Sequence, residues 1–287
     1  MKMETKLQVD AHAKVNVCLL VGGPRADGYH DVATVMAPLE LADALAVTVG
    51  EGRGVRFTCD GAGVPPGEGN LAARAARAFL TAAKVEGRVD VHLTKNVPVG
   101  AGLGGGSSDA AAALRALNEH FGRPLGPDAL WRLARSLGSD VPFFLAGGWA
   151  FAAGRGEFVT RVRGPAGAPF LLTAPRRSVP TARVYKALAA DDYAADAGPL
   201  WEVLARLGGQ APAWWAAGEN SLQAPALRAF PFLEELRRTL VELGVDGARL
   251  SGSGGAFAAP APDSDKAQAA AAELEARGYW AAVTATL

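Results

Sequence analysis

Five glycines in seven residues, followed by two serines, are the feature of this chain most suited to chemistry: Pro98-Val99-Gly100-Ala101-Gly102-Leu103-Gly104-Gly105-Gly106-Ser107-Ser108. Glycines remove the side chains that would hold an anion off the backbone, and they permit left-handed dihedrals that turn successive N–H groups inward. The alanine-rich run that follows predicts a helix beginning near Ser107 or Ser108, whose unpaired amides and dipole add positive potential. Together these features predict a cradle for a nucleotide polyphosphate. A flexible turn capped by Ser107 or Ser108 would need fewer glycines. A Walker A loop is excluded, because no lysine stands between Lys95 and Lys186. Gly100, Gly102 and Gly105 fit the Rossmann spacing, but no acidic residue ends a strand about 20 residues on.

Phosphoryl transfer to an alcohol also needs a carboxylate to orient or deprotonate the hydroxyl, and a cation for the charge on the moving group. Asp140 stands just past a helix stop and before apolar Phe143 and Phe144, either as that carboxylate or as a cap of the next turn. Lys14 shares with Asn16 the strand face opposite Val15 and Val17, where a lone lysine is ordinarily solvated. Tyr29 and His30 follow the Asp27-Gly28 turn; they suit an exposed hairpin edge or the stacking and reading of a base. Lys95 and Asn96 read as a strand end or as contacts to phosphate or base, and Asn70 reads as a helix cap. Gly252 and Gly254, with Ser251 and Ser253, read as a turn between strands. Asp109 puts a negative charge beside the loop, as a helix cap or toward Mg²⁺, and both roles stay open. His12, His30, His92 and His120 show no metal-ligand spacing.

Several separated segments, taken in order, resemble the galactokinase, homoserine kinase, mevalonate kinase and phosphomevalonate kinase superfamily. They are Ala13-Lys14-Val15-Asn16, Arg25-Ala26-Asp27-Gly28-Tyr29-His30, the loop from Pro98 to Ser108, Gly138-Ser139-Asp140-Val141-Pro142-Phe143-Phe144, and Ser251-Gly252-Ser253-Gly254-Gly255. Within the superfamily they are most similar to the branch that phosphorylates a cytidylated methylerythritol. The resemblance spans most of the chain, and ordered co-occurrence is more specific than any one motif. It implies an α+β fold of two domains with the active site in the cleft between them, and ATP as co-substrate with Mg²⁺. It implies phosphorylation of a hydroxyl of 4-diphosphocytidyl-2-C-methyl-D-erythritol to the 2-phosphate, in the non-mevalonate route to isoprenoid precursors. By the same resemblance Lys14 and Asp140 act on the acceptor hydroxyl, and ATP lies along Pro98 to Ser108 with Asn70 and Lys95. Asn16, Tyr29, His30, Thr181, Tyr185, Gly252 and Gly254 then hold the cytidine diphosphate substrate. The family often carries phenylalanine where this chain has Tyr185.

The elements that must position these residues are a mixture of strands and helices without regular alternation, an α+β pattern. Period-two patterns predict strands over Leu7–Leu19, Val32–Met36 and Val89–Leu93. Helices are expected after Asn70, through Ala110–Leu117, and from Pro127 to the stop at Gly138. Later strands are expected near Phe170–Ala174, Arg249–Leu250 and Ala281–Thr284, with helices near Thr181–Leu188, Phe232–Leu243 and Asp265–Arg277. At 287 residues with 49% hydrophobic content the chain suits two packed domains, here taken as 1–160 for ATP and catalysis and 161–287 on the substrate side. The boundary is placed in the Gly/Arg-rich stretch 154–168. A formal net charge of zero argues against nucleic acid or an anionic membrane as partner. The first residues lack a signal-peptide core and no run of about 18 apolar residues occurs, so a cytoplasmic protein with a small-molecule substrate is expected. Cys18 and Cys59 are expected as reduced thiols.

Overall fold

The computed structural model describes residues 4–60, 63–64, 67–209 and 211–287. The chain begins with two long strands, β1 (Thr5–Pro24) and β2 (His30–Gly50), which pair with each other. Arg25 N donates to Tyr29 O (2.7 Å) and Gly28 N to Arg25 O (3.1 Å), closing the turn that Asp27-Gly28 predicts. β2 runs far past the Val32–Met36 expected, because Leu45, Val47 and Val49 keep the apolar alternation going to its end. Next come β3 (Gly54–Asp60), α1 (Leu71–Ala83), β4 (Arg88–Thr94), α2 (Gly105–His120), α3 (Pro127–Leu137) and α4 (Val141–Ala146). The stretch 154–168 carries β6 (Phe158–Arg161), antiparallel to β5 (Ala150–Ala153). β7 (Pro169–Ala174) leads to α5 (Thr181–Lys186), α6 (Gly198–Arg206), α7 (Ala211–Ala217), α8 (Gln223–Ala229) and α9 (Pro231–Glu242). β8 (Arg249–Leu250), β9 (Phe257–Pro260), α10 (Ser264–Ala276) and β10 (Trp280–Ala285) complete the chain.

Two compact units emerge. The first comprises residues 1–13, 41–99 and 104–147; the second comprises 14–40, 100–103 and 148–287. In the first, β4 pairs antiparallel with the later half of β2 and parallel with β3. Val89, Val91 and Leu93 of β4, with Leu45, Val47 and Val49 of β2, form its apolar face. α1 packs on α2, and alanines make up many of the buried positions of both, which lets the two backbones approach closely. In the second unit the strand order β10-β7-β9-β8 is antiparallel throughout. Leu233, Leu236 and Leu240 of α9, Phe257 of β9 and Leu274 of α10 are buried in its core. The early half of β2 pairs there with β5. Cys18 and Cys59 are free thiols, and among the described residues no helix is long and apolar enough to cross a membrane.

Candidate active site

The glycine loop divides between the units. Its exit, in the first unit, differs from the sequence expectation: α2 starts at Gly105, not at the serines, with Gly104 (φ 75°, ψ 8°) as a left-handed N-cap. A left-handed cap followed by two glycines needs no side-chain oxygen, so Ser107 and Ser108 enter the helix. Ser108 N donates to Gly104 O (2.9 Å), which leaves the N–H groups of Gly105, Gly106 and Ser107 without intrahelical acceptors. Gly105 is buried, but Gly106 is exposed and Ser107 half-buried, so the donors of these last two face a surface an anion can reach.

Asp140 lies beside this helix start. It precedes α4 at φ −84°, ψ −12°, and its side chain makes no capping hydrogen bond to that helix. A side chain on Gly138 would come to 3.8 Å from Ser107 Oγ, which sets the Gly138-Ser139-Asp140 turn against the first turn of α2. Arg115 of α2 donates to Phe144 O at 3.4 Å, fixing α4 at its far end; burial holds this guanidinium below its ordinary pKa.

In the second unit Lys14 and Asn16 sit on one face of β1. Lys14 is 3% exposed, so the solvated strand face ordinarily expected of a lone lysine does not apply. Its Nζ donates to Asn16 Oδ1, while its backbone N–H bonds Leu103 O of the glycine loop (3.0 Å). Asn16 Nδ2 donates to Thr34 Oγ1 (2.8 Å), and that hydroxyl donates to Cys18 O (2.6 Å), so the amide is locked in one orientation. The second glycine cluster closes on the same place. Asn16 N donates to Ser251 Oγ (3.2 Å), Ala256 N to Ala101 O (2.8 Å), and a Cβ on Gly252 would stand 3.2 Å from Lys14 Nζ. A Cβ on Gly102 would fall 2.2 Å from Ser251 O, and one on Gly254 would fall 2.1 Å from the carbonyl carbon of Ala101. The two turns therefore touch backbone to backbone, and only glycine fits at the contact.

Two domain profiles of one family match this chain: GHMP kinases N terminal domain over residues 70–148, and GHMP kinases C terminal over 204–279. Two 4-diphosphocytidyl-2-C-methyl-D-erythritol kinases align along nearly the whole length. That of Thermus thermophilus is 44% identical over 274 residues, covering 94% of each chain, and that of Syntrophotalea carbinolica is 38% identical over 278 residues, covering 95% of each. A crystal structure of a 4-(cytidine 5'-diphospho)-2C-methyl-D-erythritol kinase superposes with a TM-score of 0.84 at 41% identity, covering 98% of this chain and 99% of that one. The chain belongs to the 4-diphosphocytidyl-2-C-methyl-D-erythritol kinases of the GHMP kinase family.

Within this kinase, the remaining residues marked out in the sequence occupy separate places. His30 packs beside Tyr185 (ring centroids 5.4 Å, 43°) and stacks on Tyr193 (5.8 Å, 29°), which the sequence reading did not single out. Tyr29 projects into solvent with the Arg155 guanidinium 4.8 Å from its ring centre, and Thr181 Oγ1 pairs with Ser253 Oγ at 2.8 Å. Asn70 caps α1, its Oδ1 accepting from Ala72 N (2.8 Å) and Ala73 N (3.4 Å), which leaves its Nδ2 as the free function of the amide. Lys95 is 8% exposed at its side chain and pairs with Asp43 and with Asp109 (3.2 Å). Pro98 and Val99 lead into the loop, with Val99 exposed.

Sequence reasoning passed over Thr34, Asp43, Tyr193 and Asn220. Asn220 Nδ2 donates to Leu250 O (2.7 Å) and Gly252 O (2.9 Å), holding the second glycine turn in place. Each works on a residue distant in sequence. The one signal available was residue type, a polar side chain in a segment otherwise read as apolar strand or turn.

Proposed function

We propose that Lys14 and Asp140 are the catalytic pair of this kinase, which transfers the γ-phosphoryl group of ATP to the 2-hydroxyl of 4-diphosphocytidyl-2-C-methyl-D-erythritol. The acceptor oxygen forms a bond to the γ-phosphorus, the bond from that phosphorus to the β,γ-bridging oxygen breaks, and ADP leaves. Asp140 takes the hydroxyl proton, and the Lys14 ammonium stabilises the acceptor oxygen and the equatorial oxygens of the moving group. The free amides of Gly105, Gly106 and Ser107 hold the polyphosphate, with the helix dipole behind them. Mg²⁺ arrives with ATP. Among the described residues no group of three His, Cys, Asp or Glu could hold a metal ion.

The observation that carries this reading is the Lys14–Asn16 pair. Its Nζ donates to Asn16 Oδ1, Asn16 is fixed in turn by Thr34, and a Cβ on Gly252 would stand 3.2 Å from that Nζ, so the buried ammonium is held in one place beside the second glycine turn. Thr34 and His30 are four residues apart on one face of β2, about 13 Å at the rise of a strand. That span suits a ligand with a polyol at one end, a diphosphate between, and a flat base at the His30, Tyr185 and Tyr193 end. We read the substrate as a small molecule met in the cytoplasm, with no nucleic acid partner.

Coupled ADP release from ATP and Mg²⁺, with 4-diphosphocytidyl-2-C-methyl-D-erythritol set against mevalonate, homoserine and galactose, tests the assignment. Turnover is expected with the cytidylated alcohol alone, and Asp140→Asn is expected to lower kcat by about 10²- to 10⁴-fold with little change in KM for ATP. Full turnover in Asp140→Asn would remove Asp140 from the mechanism, and turnover on another alcohol would discard the cytidine site.

A further inference from the structure

Asp43 and Asp109 take no part in the phosphoryl transfer, and Lys95 is tied to both. All three lie in the first unit, at the root of the glycine loop. Asp43 of β2 is wholly buried. Its Oδ1 accepts the backbone N–H groups of Asn96 (2.7 Å) and Val97 (2.8 Å), where the chain leaves β4 for the loop, and its Oδ2 accepts from Lys95 Nζ. The same ammonium bonds Asp109 Oδ2 at 3.2 Å, one turn into α2 where the loop ends. A Cβ on Gly105 would lie 2.9 Å from Lys95 Nζ and 3.3 Å from Asp43 Oδ2, so the missing side chain at the first residue of α2 is what admits the ammonium beneath the helix. One ammonium and two carboxylates thus hold the loop's entry and exit at a single buried point.

We propose that Asp43, Lys95 and Asp109 are positioning residues for ATP: they clamp both ends of the glycine loop, aiming the Gly105, Gly106 and Ser107 amides before nucleotide arrives, and Lys95 acts through this clamp and not on a phosphate. The proposal rests on the kinase reading. Buried ion clusters add little net stability over apolar packing, and their best-attested use is to fix one geometry. Charge agrees with the arrangement. Two ionised carboxylates against one ammonium would leave a negative charge behind a polyphosphate, and burial pushes the Asp109 carboxyl up to about 7, against the pull of Lys95 and with Asp43 adding to the rise. A proton there relieves the repulsion. The Cys59 thiol of β3, itself pushed up by burial, also feels Lys95, Asp109 and Asp43, and Asp60 at the end of β3 acts on the same thiol.

ATP affinity is measured by calorimetry with Mg²⁺ and no acceptor, alongside KM for the cytidylated alcohol and a thermal melt of each variant. Lys95→Met and Asp43→Asn are each expected to weaken ATP binding about tenfold or more while KM for the acceptor stays within about threefold. Asp109→Asn, which keeps an acceptor for the ammonium, is expected to recover most of the affinity that Asp109→Ala loses, and to flatten the pH dependence of ATP affinity between about pH 6 and 8. If Lys95 touches phosphate directly, Asp43→Asn instead frees it and tightens ATP binding, which overturns the clamp. Unchanged affinity in every variant, with lowered melting temperatures, also overturns it and leaves the cluster a structural one. No ATP binding by the wild-type chain would sink the kinase reading itself, an outcome distinct from equal binding by wild type and variants.

Discussion

Thr34 shows how one hydroxyl can set a site that it does not enter. It accepts from Asn16 Nδ2 and donates to Cys18 O, both inside the second unit, and it is 3% exposed. Thr34→Val keeps the shape and removes both bonds, taking from the buried Asn16 amide the acceptor that orients it. A loss of about 1–3 kcal/mol is expected in denaturant unfolding. Because Asn16 is also freed to rotate away from Lys14, kcat should fall by more than the stability loss explains at a temperature where the variant is still folded. Thr34→Ser, which restores the hydroxyl, should recover kcat; if it does not, the relay is not what orients Asn16. Asn16 and Lys14 could be picked out from the sequence because they stand two apart on one strand. Thr34 could not, since its partners lie 16 and 18 residues away and meet it only when β1 pairs with β2.

The glycines of the loop and of the second glycine turn look alike in the sequence but have different structural reasons. At Gly254 an added Cβ would sit 2.1 Å from the carbonyl carbon of Ala101, 2.2 Å from Gly102 N and 2.4 Å from Ala101 O. All three are backbone atoms with no flexible end to yield. Gly254→Ala is therefore expected to cost at least the roughly 1–3 kcal/mol of an overpacked core, and to lower the melting temperature. At Gly106 the nearest atom to an added Cβ is Leu71 Cδ1 at 3.6 Å, an ordinary contact, and the residue is helical. Gly106→Ala should leave the melting temperature unchanged or raise it by the equivalent of about 1 kcal/mol of helix propensity, while KM for ATP increases because the methyl stands over a phosphate donor. Equal melting temperatures for the two variants would show that close backbone approach is not what selects glycine at position 254. The element boundary follows the same logic: serines after a glycine run suggest a cap, yet the left-handed Gly104 starts α2 three residues before Ser108.

For the molecule as a whole, the buried Asp43–Lys95–Asp109 cluster ties stability to pH. Asp109 has a folded pKa raised from 3.8 to about 7, so between those values the folded chain holds a proton that the unfolded chain has released. Stability from this group is fully present below about pH 4 and is lost as pH rises through about 7. Wild-type unfolding free energy from denaturant titrations should decline from pH 5 to pH 8, and Asp109→Asn, which cannot titrate, should remove that part of the decline. Identical slopes in the two proteins would mean that Asp109 is not the proton carrier.

What the sequence determined by itself was local. Strand alternation from Leu7 to Leu19, the Asn70 cap, the helix from Pro127 to Gly138, and the glycine loop all depend on residues within a turn or two of one another, where backbone geometry and side-chain period act directly. The order of the motifs added the family and the reaction, because several spaced segments must match together. The tertiary structure alone decided which distant groups meet: Asp43 with Lys95 across 52 residues, Asn220 with the second glycine turn, and Ser251 with Asn16 across 235. It also decided that Lys95 is buried between carboxylates and that Tyr193 joins His30. The reason is physical. A buried polar group takes its partners from whatever backbone the packing brings near, and no spacing along the chain encodes that choice.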